Sequence, residues 1–142
     1  MTLATDERER LLSGCSLFMG LPPEGLAVLA KRATEVEFPE GHVIARQGEI
    51  GTGLFIIISG GVKVVRSGEQ LARLGAGDFF GELSVLDRMP RTASVTAEQT
   101  TRCLALASWD FDAAVTESPS IALAILRGLA VRLRERTEAD RH

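Results

Sequence analysis

The sequence predicts an α+β fold, mainly β: an antiparallel β-roll or jelly-roll barrel with helices before it and one long helix after it. Three observations carry this. Glycines at 48, 51, 53, 60 and 61 break a β-rich stretch into short strands and tight turns, the pattern of a barrel rather than of β-α-β units. Apolar residues Leu26, Leu29 and Ala30 fall at i, i+3 and i+4 in the segment before it. A proline-started helical stretch runs from about 119 to 137. A chain of 142 residues with 45% hydrophobic content has the size of one domain (1–142, core about 15–137) and enough apolar surface to bury a core.

In chain order, Thr5 to Ser13 is polar with Leu11 and Leu12 at its end and predicts a short helix capped by Thr5 or Asp6. Pro22 to Ala33 predicts the next, with Pro22 and Pro23 suited to its start. From Glu35 the period changes to two: Val36 and Phe38 alternate with charges, and Phe38 to Gly41 breaks the chain before a strand at Val43 to Arg46. Leu54 to Ile58 and the alternating Val62 and Val64 are the next strands. Ser67 to Gln70 reads as a turn, Leu71 to Leu74 as the strand that pairs back, and Gly75 to Asp78 as another turn. Ala93 to Ala97 and Arg102 to Leu106 are two further strands. Ser108 opens a helix to about Val115. Ser118 and Pro119 then read as N-cap and first residue of the last helix, whose apolar positions include Ala122, Ile125, Leu126, Leu129 and Leu133. They predict packing on the barrel and against a second copy across a dimer axis. Gly128 inside that helix marks either a close helix contact or simple tolerance.

The run Phe80 to Val95, FGELSVLDRMPRTASV, carries the chemistry. Gly81 admits a ligand close to the backbone, and Glu82 to Leu86 predicts one helical turn whose free N–H groups suit a phosphate. Pro90 stops that turn. Arg91 offers a planar fork matched to two phosphate oxygens, Thr92 adds a hydroxyl, and Glu82 remains to accept from ligand hydroxyls. The inventory fits a sugar phosphate. The competing reading is a Glu82–Arg91 surface ion pair of about 0 to 1 kcal/mol.

This run resembles the phosphate-binding cassette of cyclic nucleotide-binding domains, found in catabolite-activator-type regulators, cyclic-nucleotide-dependent kinases and cyclic-nucleotide-gated channels. Gln47, Gly48, Glu49, Ser59, Gly60 and Val62 also match segments common in that family. The resemblance implies that Glu82 accepts from the ribose 2′-hydroxyl and that Arg91 pairs with the cyclic phosphate, with Gly81, Thr92 and the amides near Leu83 and Ser84 completing the cradle. It implies cAMP as ligand, with cGMP as the alternative, and no further cofactor. It also implies that the last helix is both dimer seam and lid over the base. Only Thr137 of the family's base-contacting Thr-Ser pair is retained, beside Arg136, so these two are the candidate base contacts and base preference stays open. An alternative within the same fold is a domain that no longer binds nucleotide and serves only dimerisation or interaction.

Other classes find less support. The net charge of -3 argues against nucleic-acid binding by bulk electrostatics, and the basic run Arg132, Arg134, Arg136 is interrupted by Glu135 and followed by Glu138. His42 and His142 are the only histidines, too few for a metal-dependent barrel enzyme, and no Ser-His-Asp or Cys-His arrangement has a plausible base. No enzyme activity and no metal are expected. Cys15 and Cys103 have no metal-ligand spacing, the start of the chain lacks a signal-peptide core, and no apolar run reaches the roughly 20 residues of a membrane span. A cytoplasmic sensor is expected, stand-alone or cut from a larger regulator, that moves its last helix for an effector to read.

Overall fold

The computed structural model describes residues 2–140, with side chains through Thr137. Helix α1 (Thr5–Ser13), a 3-10 turn (Ser16–Phe18) and α2 (Pro23–Arg32) lead into β1 (Thr34–Phe38), β2 (Val43–Ala45), β3 (Gly53–Ser59), β4 (Gly61–Arg66), β5 (Glu69–Gly75) and β6 (Phe79–Phe80). Helix α3 (Ser84–Asp87) separates these from β7 (Ser94–Ala97) and β8 (Thr101–Ala107), after which come α4 (Ser108–Glu117) and α5 (Ser120–Asp140). The strands form two antiparallel four-stranded sheets, β1-β8-β3-β6 and β2-β7-β4-β5. The β-roll that the glycine punctuation predicts is the observed fold.

Residues alternate across the central strands because both faces are covered. Leu54 and Ile56 of β3, with Leu104 and Leu106 of β8, pack against Leu12, Phe18, Leu29, Phe111 and Ile121 from the helical layer. The intervening Phe55, Ile57 and Cys103 point between the sheets, where Val62, Phe80 and Val95 complete a smaller core. This explains why Leu54 to Ile58 reads as a continuous apolar run. Burial of Cys15 and Cys103 pushes both thiols up to about 11, so neither is a nucleophile near neutral pH.

Several local expectations change. The cap of α1 is Ala4, without a side-chain hydrogen bond, not Thr5 or Asp6. A tertiary contact sets the entry instead: the Leu3 N–H donates to the Glu35 carboxylate at 2.9 Å. The predicted turn Ser67 to Gln70 contracts to Ser67–Gly68, both with positive φ (51° and 82°), so Arg66 faces Glu69 and β5 lengthens at both ends. Strand β6, unforeseen in the sequence, pairs Phe79 and Phe80 with Ile56 and Phe55. Helix α5 begins at Ser120 rather than Pro119. Ser118 accepts the Ile121 N–H through its backbone carbonyl at 3.0 Å, while its hydroxyl meets that of Ser120 at 3.2 Å.

The apolar residues of α5 do not form one stripe. Ile121 and Ile125 are buried and Leu129 packs beside them, whereas Leu126 and Leu133 are 62% and 67% exposed. Arg132 ties the same helix down by donating to the Ser16 carbonyl. Gly128 faces open space, since an added Cβ meets nothing within 4 Å, so the close contact considered for it is not made among the described residues. Gly128→Ala is expected to raise stability by about 1 kcal/mol in thermal denaturation, through helix propensity alone. A lower Tm would place another helix against it. Among the described residues no single helix is long and apolar enough to cross a membrane.

Candidate ligand-binding site

Strand β6 delivers the chain to Gly81, whose φ of 79° turns it out of the sheet. Ser84 to Asp87 then makes one helical turn, which Arg88 ends in the left-handed conformation at φ 50°. From there the chain runs back alongside the loop before β3. The Arg91 N–H donates to the Glu49 carbonyl at 2.7 Å, the Gly48 N–H to the Arg91 carbonyl at 2.8 Å and the Gly51 N–H to the Met89 carbonyl at 3.2 Å. Residues 48–51 thus brace the 89–91 segment from behind through main-chain hydrogen bonds.

Together these segments enclose a cavity of about 380 Å³. Gly81, Glu82, Leu83, Ser84, Arg91 and Thr92 all line it, and Val64, Leu74, Phe79 and Val95 give it an apolar wall from the facing sheet. The volume falls in the range of small-ligand sites, roughly 300 to 1,000 Å³. Arg91 and Glu82 are half-buried, and Thr92 is exposed at the rim. One Arg91 nitrogen, Nη2, donates to the Gly53 carbonyl at 3.1 Å, which fixes the plane of the guanidinium. Burial lowers the pKa of Arg91 and the nearby Glu82 charge opposes that shift, the larger effect being burial. Among the described residues no carboxylate forms a salt bridge with Arg91 within 4.0 Å, so the surface ion pair with Glu82 is not formed. Arg91 is thus an anchored, half-desolvated cation with donors to spare, a group whose chemistry suits an anion.

Glycine makes the room for it. A Cβ at Gly81 would meet the Gly53 carbonyl oxygen at 2.5 Å and collide with Arg91 Nη1, and a Cβ at Gly51 would collide with the Ser84 hydroxyl and approach Arg91 Nε to 3.1 Å. Sequence reasoning treats Gly51 and Gly53 as turn makers and misses both roles, although their density in the run 48–53 was the available signal. It also misses the apolar wall, which the Val62/Val64 alternation hinted at. Of the expected cradle amides, that of Ser84 donates to the Gly81 carbonyl at 3.0 Å, while among the described residues the Leu83 N–H has no backbone acceptor. Arg136 and Thr137 are not brought to the cavity. Both are exposed on α5, and the Thr137 hydroxyl donates to the Leu133 carbonyl at 2.9 Å.

A family model described as the cyclic nucleotide-binding domain matches residues 35–118, which takes in β1 from its second residue, the other seven strands and the cavity-lining turn. The chain belongs to the cyclic nucleotide-binding domain family. It is similar to a CRP-like cAMP-activated global transcriptional regulator of Mycobacterium tuberculosis, 38% identical over 136 residues that cover 89% of this chain and 58% of the regulator. The chain therefore spans under two thirds of that relative's length. Among solved structures, the N-terminal domain of a transcriptional regulator from Streptomyces coelicolor A3(2) superposes with a TM-score of 0.83 at 34% identity, covering 91% of this chain and 96% of that one. The Thermus thermophilus catabolite activator protein superposes with a TM-score of 0.68 at 37% identity, covering 88% of this chain and 62% of that one. The cyclic nucleotide-binding domain is a regulatory module in such relatives, and it is in this module that the cavity lies.

Proposed function

We propose that this chain is a sensor domain that binds a cyclic nucleotide, cAMP in preference to cGMP, and signals by repositioning α5. The observation that carries the reading is Arg91, held by the Gly53 carbonyl and without a salt-bridge partner among the described residues, on a cavity that it shares with Glu82. The cyclic phosphate takes the free Arg91 nitrogens, with the Leu83 amide and the Ser84 and Thr92 hydroxyls beside it. Glu82 accepts from the ribose 2′-hydroxyl, and Gly81 lets the sugar approach the backbone. The preference for cAMP is supported by the similarity to the cAMP-activated regulator of Mycobacterium tuberculosis. No catalytic step is part of this reading, and the free, buried Cys15 and Cys103 support a reducing, cytoplasmic setting.

The signal has a route. Arg88, at the end of α3, is ion-paired with Asp112 of α4, and Phe111 of α4 stacks on Phe18 at 6.2 Å between ring centroids, beside the segment that α5 grips. Ordering of 81–92 around the phosphate biases α4, and through it α5, which an effector reads. Base contacts from Arg136 and Thr137 require α5 to move or a second copy to supply them. Isothermal titration with cAMP and separately with cGMP tests the reading. Micromolar or tighter binding supports it and ranks the bases, and absence of heat with both leaves the fold as an interaction module only.

A homodimer through α5 belongs to the same proposal. Leu123, Leu126, Ala130, Leu133 and Thr137 are all exposed and recur with alternating three- and four-residue steps, the spacing of a coiled-coil seam. Leu126→Glu with Leu133→Glu is expected to convert a dimer to a monomer in sedimentation velocity without unfolding the core, since neither side chain belongs to it. A wild-type chain that sediments as a monomer overturns this part.

A further inference from the structure

A second cavity of about 380 Å³ lies where β1, β3 and β8 meet the start of α4. The cavity is half open to solvent and mostly apolar in its lining, with aromatic side chains on its wall, which is the character of a small-molecule site. Phe38 and Phe55, 5.9 Å apart edge to face, and the indole of Trp109 line it, with Ala105 beneath. Trp109 is 62% exposed, whereas tryptophan is highly buried on average. Asp110, half-buried, is the only ionisable residue on the lining among the described residues.

The cavity is also joined to the site described above. Gly53 lines it, and the carbonyl of Gly53 is the acceptor that orients Arg91. Phe55 lines it too and stacks at 5.2 Å on Phe80, which lines the first cavity. Anything that shifts the first residues of β3 therefore shifts both.

We propose that this second cavity binds a small aromatic amine. Its ring lies among Phe38, Phe55 and Trp109, and its ammonium group pairs with Asp110 and gains from the face of the indole. Its occupancy changes nucleotide affinity through Gly53 and Phe55. The coupling half rests on the nucleotide reading; the binding half does not.

The probe is 2-phenylethylamine, titrated into the whole chain while the emission of Trp109 is recorded, with 3-phenylpropionate as the probe of similar shape and opposite charge. A saturable change with the amine is expected at a Kd of about 1 mM, reasonable for so few atoms, and binding of the carboxylate at least about tenfold weaker. Asp110→Asn should remove that difference, and Ala105→Leu, which fills the cavity, should weaken both. A change that does not saturate, an equal response to the two probes, or an unaltered preference in Asp110→Asn overturns the site. With the amine saturating, the affinity for cAMP should shift at least about threefold, and an unchanged affinity overturns the coupling. If cAMP does not bind at all, the nucleotide reading fails while the Trp109 titration still decides the cavity.

Discussion

Arg91→Ala is expected to lower the affinity for cAMP at least about thirtyfold in isothermal titration. Truncating one partner of a desolvated charge pair costs about 2 to 5 kcal/mol, and the lower figure already corresponds to that factor. The fold should survive, because the contacts that hold this segment in place are made by the main chain: the Arg91 N–H to the Glu49 carbonyl and the Gly48 N–H to the Arg91 carbonyl. Far-UV circular dichroism should therefore match the wild type. Arg91→Lys keeps the charge and loses the planar fork, so its affinity should fall between the two. Glu82→Ala should weaken binding less than Arg91→Ala, since it deletes a hydroxyl contact but also a carboxylate near an anion. Affinity unchanged in both alanine variants would mean that the nucleotide sits elsewhere.

Gly81→Ala is expected to damage stability and binding together. A φ of 79° costs an alanine about 1 to 2 kcal/mol, and the added Cβ also clashes with both the Gly53 carbonyl, which belongs to β3, and the Arg91 guanidinium. A loss of about 3 kcal/mol, seen as a fall in Tm of roughly 10 °C, is the expected outcome, with cAMP affinity reduced at least about tenfold. Gly77→Ala is the control. Its φ is 89°, yet its Cβ would meet nothing within 4 Å, so it should lose only the backbone part and leave binding intact. Equal losses in the two variants would show that conformation alone, and not the crowding around Arg91, makes Gly81 necessary.

Much of the barrel was legible because its rules are local. Glycine density gave the turns, alternation gave β1 and β4, and a β-rich apolar run gave β3. The short segment Phe79–Phe80 was not legible, since two residues carry no period and become a strand only by pairing with Phe55 and Ile56. The turn at Ser67–Gly68 was placed but made too long. A serine at positive φ has no strong sequence signature, and it is the Gln47 side chain, accepting the Ser67 N–H at 2.8 Å, that supports it. In α5 the apolar residues were recognised but assigned to one face. Their division into a buried set around Ile121 and Ile125 and an exposed set around Leu126 and Leu133 depends on where the helix lands on α4 and the 3-10 turn.

The sequence by itself determined the fold class, the residue types of the proposed anion site and the spacing that puts Glu82 and Arg91 in one turn-and-return segment. Those are consequences of covalent order: a glycine, a helical turn, a proline stop and a guanidinium in succession. The tertiary structure decided what the segment leans on. Gly53 and Gly51 lie far from Arg91 in the chain, and only the closing of the β-roll brings the carbonyl of one and the missing side chain of the other to the guanidinium. It also decided that Arg91 has no ion-pair partner among the described residues and that Arg136 and Thr137 stand away from the cavity. The physical reason is that charge pairing, desolvation and steric room are properties of neighbours in space, which local sequence pattern does not encode.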